Sequence, residues 1–164
     1  MRIFSLLVLV VLWSSLAAAD QALTPVGPLV YYEVERAQAP VVIDGNLDEF
    51  SWIKSNQINS LDRILNDYAQ VDFPTRAKML WDDEYFYFAF VCQDADMWSI
   101  YAGEDDHLWE EEVVEIFIDP DGDGKNYLEL EVSPSNVIVD LLIYAVSPEW
   151  HSSTDWDIAG LKRA

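Results

Sequence analysis

The clearest pattern in the chain is a two-residue alternation that begins after Pro74. Thr75 to Trp81 is rich in large side chains, and Asp82-Asp83 then marks a turn. Glu84 to Cys92 follows, so the two runs predict a β-hairpin. In the second run Phe86, Phe88, Phe90 and Cys92 share one face, and Tyr85, Tyr87, Ala89 and Val91 share the other. The Phe face is expected to be core, with Cys92 as a small buried hydrophobe. The Tyr face carries hydroxyls and is expected to be partly wet.

Three later runs repeat the alternation. Val113 to Ile118 offers Val114, Ile116 and Ile118 to a core. Tyr127 to Val132 offers Leu128, Leu130 and Val132, and Asn136 to Tyr144 offers Val137, Val139, Leu141 and Ile143. The opposite faces carry Glu115, then Glu129 and Glu131, then Asp140. Turn residues separate the runs at short intervals, and no long helical period or internal repeat competes. The predicted fold class is therefore all-β, an antiparallel β-sandwich or barrel.

Before Pro74 the pattern is weaker. Val30 to Arg36 is a candidate strand, Pro40 to Ile43 is extended, and Asp44-Gly45 signals a turn. Asn46 is placed to cap a short helical turn through Leu47, Phe50 and Trp52. Residues 55–73 are polar and irregular. At the start, Arg2 precedes an apolar stretch, Ile3 to Trp13, and Ala17, Ala18 and Ala19 form a small-residue site before Asp20. This is the layout of a cleavable secretory signal over residues 1–19, with a retained N-terminal anchor as the alternative. The stretch falls short of the roughly 20 apolar residues that a membrane span takes. No cysteine follows it directly for a lipid anchor, and no second long apolar segment exists. Residues 20–29 read as an exposed lead-in and residues 30–164 as one domain, exported to the periplasm or the cell exterior, with no transmembrane segment in the mature chain.

Charge narrows the partners. The chain holds 30 acidic and 9 basic residues, for a net charge of -21. Such a surface repels nucleic acid and anionic lipid. It suits neutral or cationic ligands, a bound cation, or simple solubility outside the cell. With one cysteine, no internal disulfide can form.

Candidate chemistry gathers in Leu108 to Asp119, where Trp109 opens the segment and Glu115 lies six residues on. An aromatic ring can stack on the flat C–H face of a sugar, and a carboxylate can accept from its hydroxyls. A rim Trp and a solvated Glu are the plain alternative. Asp119, Asp121 and Asp123 open like an EF-hand loop, but Leu130 stands where that loop needs a bidentate Glu, and the flanks read as strands. They form either an acidic hairpin turn or a calcium site. No G-x-S-x-G, H-E-x-x-H or Gly-rich phosphate motif is present, and no pair of acids is singled out as acid and nucleophile. The domain is not expected to be an enzyme.

These pieces, in order, resemble the family 9 carbohydrate-binding-module-like domains within the broader DOMON-like sandwiches. They run from Ile43-Asp44-Gly45, Leu47-Asp48-Glu49 and Trp52 to Pro74-Thr75 and Ala77-Lys78. Leu80 to Asp83, Tyr85 to Phe88, Cys92 with Asp94, Trp109 through Asp119, and Tyr127 to Asn136 continue the series. The resemblance implies a non-catalytic module that binds a polysaccharide or oligosaccharide. In members of that family, two Trp side chains sandwich a sugar unit at a glycan chain end, and polar side chains of a concave sheet hold its hydroxyls. Trp109 and Glu115 match the first such Trp and a Glu six residues later. Strand parity puts Glu129 and Glu131 at the next strand's ligand positions, where family members carry basic or amide side chains. The family's second Trp comes near the domain's C-terminal end; Trp150 and Trp156 are present, and neither clearly matches it.

The resemblance further implies closing strands beyond Ala164, hence an incomplete domain with an unpaired edge and poor solubility. It also implies calcium as a structural ion, and a catalytic domain or protein as a partner. Two readings compete with sugar binding. One is a haem-binding electron-transfer domain of DOMON-like type, with Met79, Met97, His107 and His151 as the candidate ligands. The other is an accessory or assembly domain with no small ligand.

Overall fold

A computed structural model describes residues 31–59, 61, 73–146 and 148–164. The signal segment 1–19, the lead-in 20–29 and most of the irregular stretch before Phe73 lie outside the described residues. The first regular element, β1 (Glu35–Arg36), is shorter than the run from Val30 suggests. A short helix, α1 (Phe50–Lys54), follows. Then come β2 (Thr75–Trp81), β3 (Phe86–Cys92), β4 (Val114–Ile118), β5 (Tyr127–Val132), β6 (Ile138–Ala145) and β7 (His151–Ser153).

Two separate sheets result, in order β1-β2-β3 and β4-β5-β6-β7. Among the described residues the fold is an all-β sandwich with almost no helix, not a closed barrel. Every pairing is antiparallel except β1 with β2, which is parallel.

The β2–β3 hairpin forms as its pattern predicts, because Asp82 organises the turn. Its Oδ1 accepts the N–H groups of Glu84 and Tyr85, and its Oδ2 accepts the Tyr87 hydroxyl at 2.6 Å. These bonds hold the Asp82 carboxyl below its usual range, with the Tyr87 contact the largest cause. Burial and the same bond push the Tyr87 phenol up to about 12.

The face of β3 that turns inward is not the expected one. Tyr87 is 8% exposed, whereas Phe86 is 47% exposed. Register explains this, since Tyr87 pairs with Leu80 and Phe86 with Trp81. Leu80 and Tyr87 pack with Trp52 of α1, and Val41, Leu47, Tyr85 and Ala89 surround them. The helix thus covers the Tyr face, and Asp82 satisfies the hydroxyl that goes in with it. Cys92 ends β3 on the other face and is exposed rather than core. The helix also starts later than expected. Asn46 donates its N–H to Asp44 in the Asp44-Gly45 turn, and α1 begins at Phe50 after Glu49, with no side-chain cap.

A second cluster belongs to the other sheet. Leu108, Val139, Leu141 and Ile143 are buried together, flanked by Tyr101, Val113, Tyr127 and Val137. Here again register corrects parity. Glu129 pairs with Leu141 and Glu131 with Val139, so the acids share a face with the β6 core residues. Leu128 and Leu130 pair instead with Leu142 and Asp140. Asp140 therefore lies on the opposite face from Glu129 and Glu131, buried, with its carboxylate accepting the Ile158 N–H. The tight connection from β5 to β6 sets this register. Ser133 and Val137 are bonded across it, and Asn136 takes a positive φ of 59°.

Candidate functional site

Leu108–Glu110 forms a single 3-10 turn. Leu108 is fully buried in the second cluster and anchors this turn to the sheet. Its neighbour Trp109 is left 46% exposed, with the His107 ring stacked on it at 4.5 Å between centroids. At the far edge, β7 pairs with β6, placing Ser152 opposite Ile143. Trp150 immediately precedes β7 and is 54% exposed.

Trp109 and Trp150 line one pocket of about 730 Å³, together with Glu129, Glu131 and Leu141. Ser152 to Asp155 complete its wall. Its size falls within the usual range for small-ligand sites, about 300–1,000 Å³. The combination of apolar rings, carboxylates and hydroxyls matches what a sugar presents, a flat C–H face with a polar rim.

Glu115, Glu129 and Glu131 converge beside this pocket. Glu115 and Glu131 are register partners across β4 and β5, and Glu129 is one same-face step from Glu131. Each offers a carboxylate oxygen within 4.8 Å of the others. Glu131 is completely buried, and neither of its oxygens has a hydrogen-bond partner. Burial, then the charges of Glu115 and Glu129, push its carboxyl up to about 7. Once protonated, it can donate to Glu129. Burial and the Glu115 charge raise Glu129 as well. Glu115 itself is exposed and lines a neighbouring cleft with Thr75 and Phe90.

The remaining candidates fall elsewhere. Asp119, Asp121 and Asp123 form the β4–β5 turn, and their carboxylate oxygens also come within 4.8 Å of one another. Their turn already uses them. Asp119 accepts the N–H groups of Gly122 and Gly124, Asp121 accepts that of Asp123, and Asp123 accepts that of Lys125. The Gly124 bond is the main reason the Asp119 carboxyl sits below its usual range. His107 stacks on Trp109 and His151 on Tyr144, and neither lines the pocket. Met79 lies on β2, in the other sheet, and Met97 is 70% exposed.

Sequence reasoning paired Trp109 with Glu115 and, through the family resemblance and strand parity, added Glu129 and Glu131. The pocket unites Trp109 with Glu129 and Glu131, and Glu115 lines the neighbouring cleft instead. It did not assign Trp150, nor the Ser152 to Asp155 wall, nor the burial of Glu131. The available signal was Trp150 just upstream of the polar run Ser152-Ser153-Thr154-Asp155.

The fold and this pocket describe a β-sandwich with a surface suited to small polar ligands. Residues 43–139 match the family described as carbohydrate family 9 binding domain-like, and the chain belongs to that family. Trp109, Glu115, Glu129 and Glu131 lie inside the matched stretch, and Trp150 lies beyond it. No curated protein matches the chain, and no solved structure does.

Proposed function

We propose that this chain is an exported, non-catalytic module that binds a polysaccharide or oligosaccharide, with Trp109 and Trp150 as its aromatic platform. The observation that carries the reading is the pocket itself, where two exposed Trp side chains from distant parts of the chain meet Glu129 and Glu131. Family membership supports a saccharide as the ligand class. Export rests on the signal-like layout of residues 1–19. Among the described residues, no helix is long and apolar enough to cross a membrane.

Affinity electrophoresis of the full chain through gels cast with a glycan panel tests the reading. Retardation by at least one glycan is expected. Free migration through every soluble glycan, with no adsorption to insoluble ones, would sink it.

A further inference from the structure

We propose that Glu115, Glu129 and Glu131 form a site for one calcium-class divalent cation, between the pocket that Trp109 and Trp150 line and the neighbouring cleft that Glu115 lines. Three acids in proximity are not by themselves a site. What distinguishes this group is Glu131, which is wholly buried with both carboxylate oxygens unpartnered. Glu49 also has one orphaned oxygen, but its other oxygen accepts the Val42 N–H. A buried carboxylate with no donor is costly, and a coordinating ion is one of the few things that relieves it. The Asp119, Asp121 and Asp123 turn is the contrast. Its carboxylates accept backbone N–H groups and none is buried, so nothing there asks for an ion.

The donor set selects the type of cation. All the ligand atoms are carboxylate oxygens, which suits a hard ion rather than zinc or copper. Three side-chain carboxylates from two strands, with further positions open to water or hydroxyls, suit the flexible oxygen shell of calcium better than the strict octahedron of magnesium. Register supplies the geometry. Glu115 comes from β4 and the other two from β5, so one ion would tie the strands together. An ammonium group on a sugar is a poorer fit, because its ring would have to follow it to a carboxylate that solvent does not reach. Three carboxylates leave coordination positions open on a calcium ion. On the sugar-binding reading above, these face the pocket and take sugar hydroxyls.

The test titrates calcium into the full chain by calorimetry, without glycan, after chelator treatment. Near one ion per chain is expected, with affinity falling roughly tenfold or more in Glu131→Gln and in Glu115→Gln. Glu115 is exposed, so its variant keeps the test valid even if Glu131→Gln folds poorly. Asp119→Asn with Asp121→Asn is expected to retain the tight site. Absence of binding overturns the proposal. So does binding that survives both Glu variants, or that disappears with the Asp pair. Glycan retention, measured separately, distinguishes the two ideas. Calcium bound through the Glu residues with no glycan retained supports the ion site and removes the sugar reading.

Discussion

Glu115 and Glu131 stand directly opposite each other across β4 and β5, the one exposed and the other completely buried. Like charges facing across a strand pair destabilise it. Glu129, on the same face, adds a third. The β6 residue opposite Glu131 is Val139, which offers no compensating donor.

The first prediction follows for chelator-treated protein. The Glu131 carboxyl is raised to about 7 in the fold, above its ordinary value near 4.5. A raised group contributes stability that is fully present below the unfolded value and lost as pH rises through the folded value. Glu131→Gln carries no charge and escapes this loss. Urea melts should therefore show the variant gaining on wild type between pH 5 and pH 8, by on the order of 2–3 kcal/mol. A difference that stays constant across this window would mean Glu131 is not strained by its charge.

Trp109→Ala and Trp150→Ala should separate binding from folding. Both side chains are about half exposed, so each variant should melt close to wild type, within about 0.5 kcal/mol. Loss of one stacking face should cost about 1–2 kcal/mol of glycan affinity, roughly five- to thirtyfold. Calorimetry with whichever glycan retards the protein measures it. Equal affinity in both variants would remove the platform.

Leu108→Ala should behave the opposite way. Leu108 is wholly buried against Val139, Leu141 and Ile143. Truncation leaves a cavity and should cost about 2–5 kcal/mol in a urea melt. It should also weaken glycan binding, because the turn that carries Trp109 loses its anchor.

Cys92 supplies a simple check on the facing of β3. Exposed at the strand end, it should react fully with a maleimide in the native protein. Reaction only after unfolding would restore the Phe face as core.

Most of the strands were legible because alternation is a local property. The β2 run Thr75–Trp81 and the β5 run Tyr127–Val132 coincide with the expected segments, and β3, β4 and β6 differ only at their ends. The shortest strands, β1 and β7, were hard to read. β1 has two residues and β7 is His151-Ser152-Ser153, so neither carries a period, and each forms only because a longer neighbour offers it an edge. Of the site, Trp109 and Glu115 could be named through the family resemblance, which their six-residue spacing supports, and Glu129 and Glu131 through the same resemblance with strand parity. Trp150 could not be assigned, because its place depends on how β7 docks on β6.

The amino-acid order alone determined that this is an all-β chain, where its long strands lie, and that acids alternate with aliphatic residues along β4 and β5. It also set Trp109 beside a residue that is buried. Which face turns inward was decided only in the folded chain. Trp52 on α1 covers Tyr87 and leaves Phe86 outside. The tight connection after Ser133 sets Glu129 and Glu131 against Leu141 and Val139. The physical reason is that period two marks two faces without naming either as inner. That choice belongs to register and to covering elements, which join residues far apart in the chain.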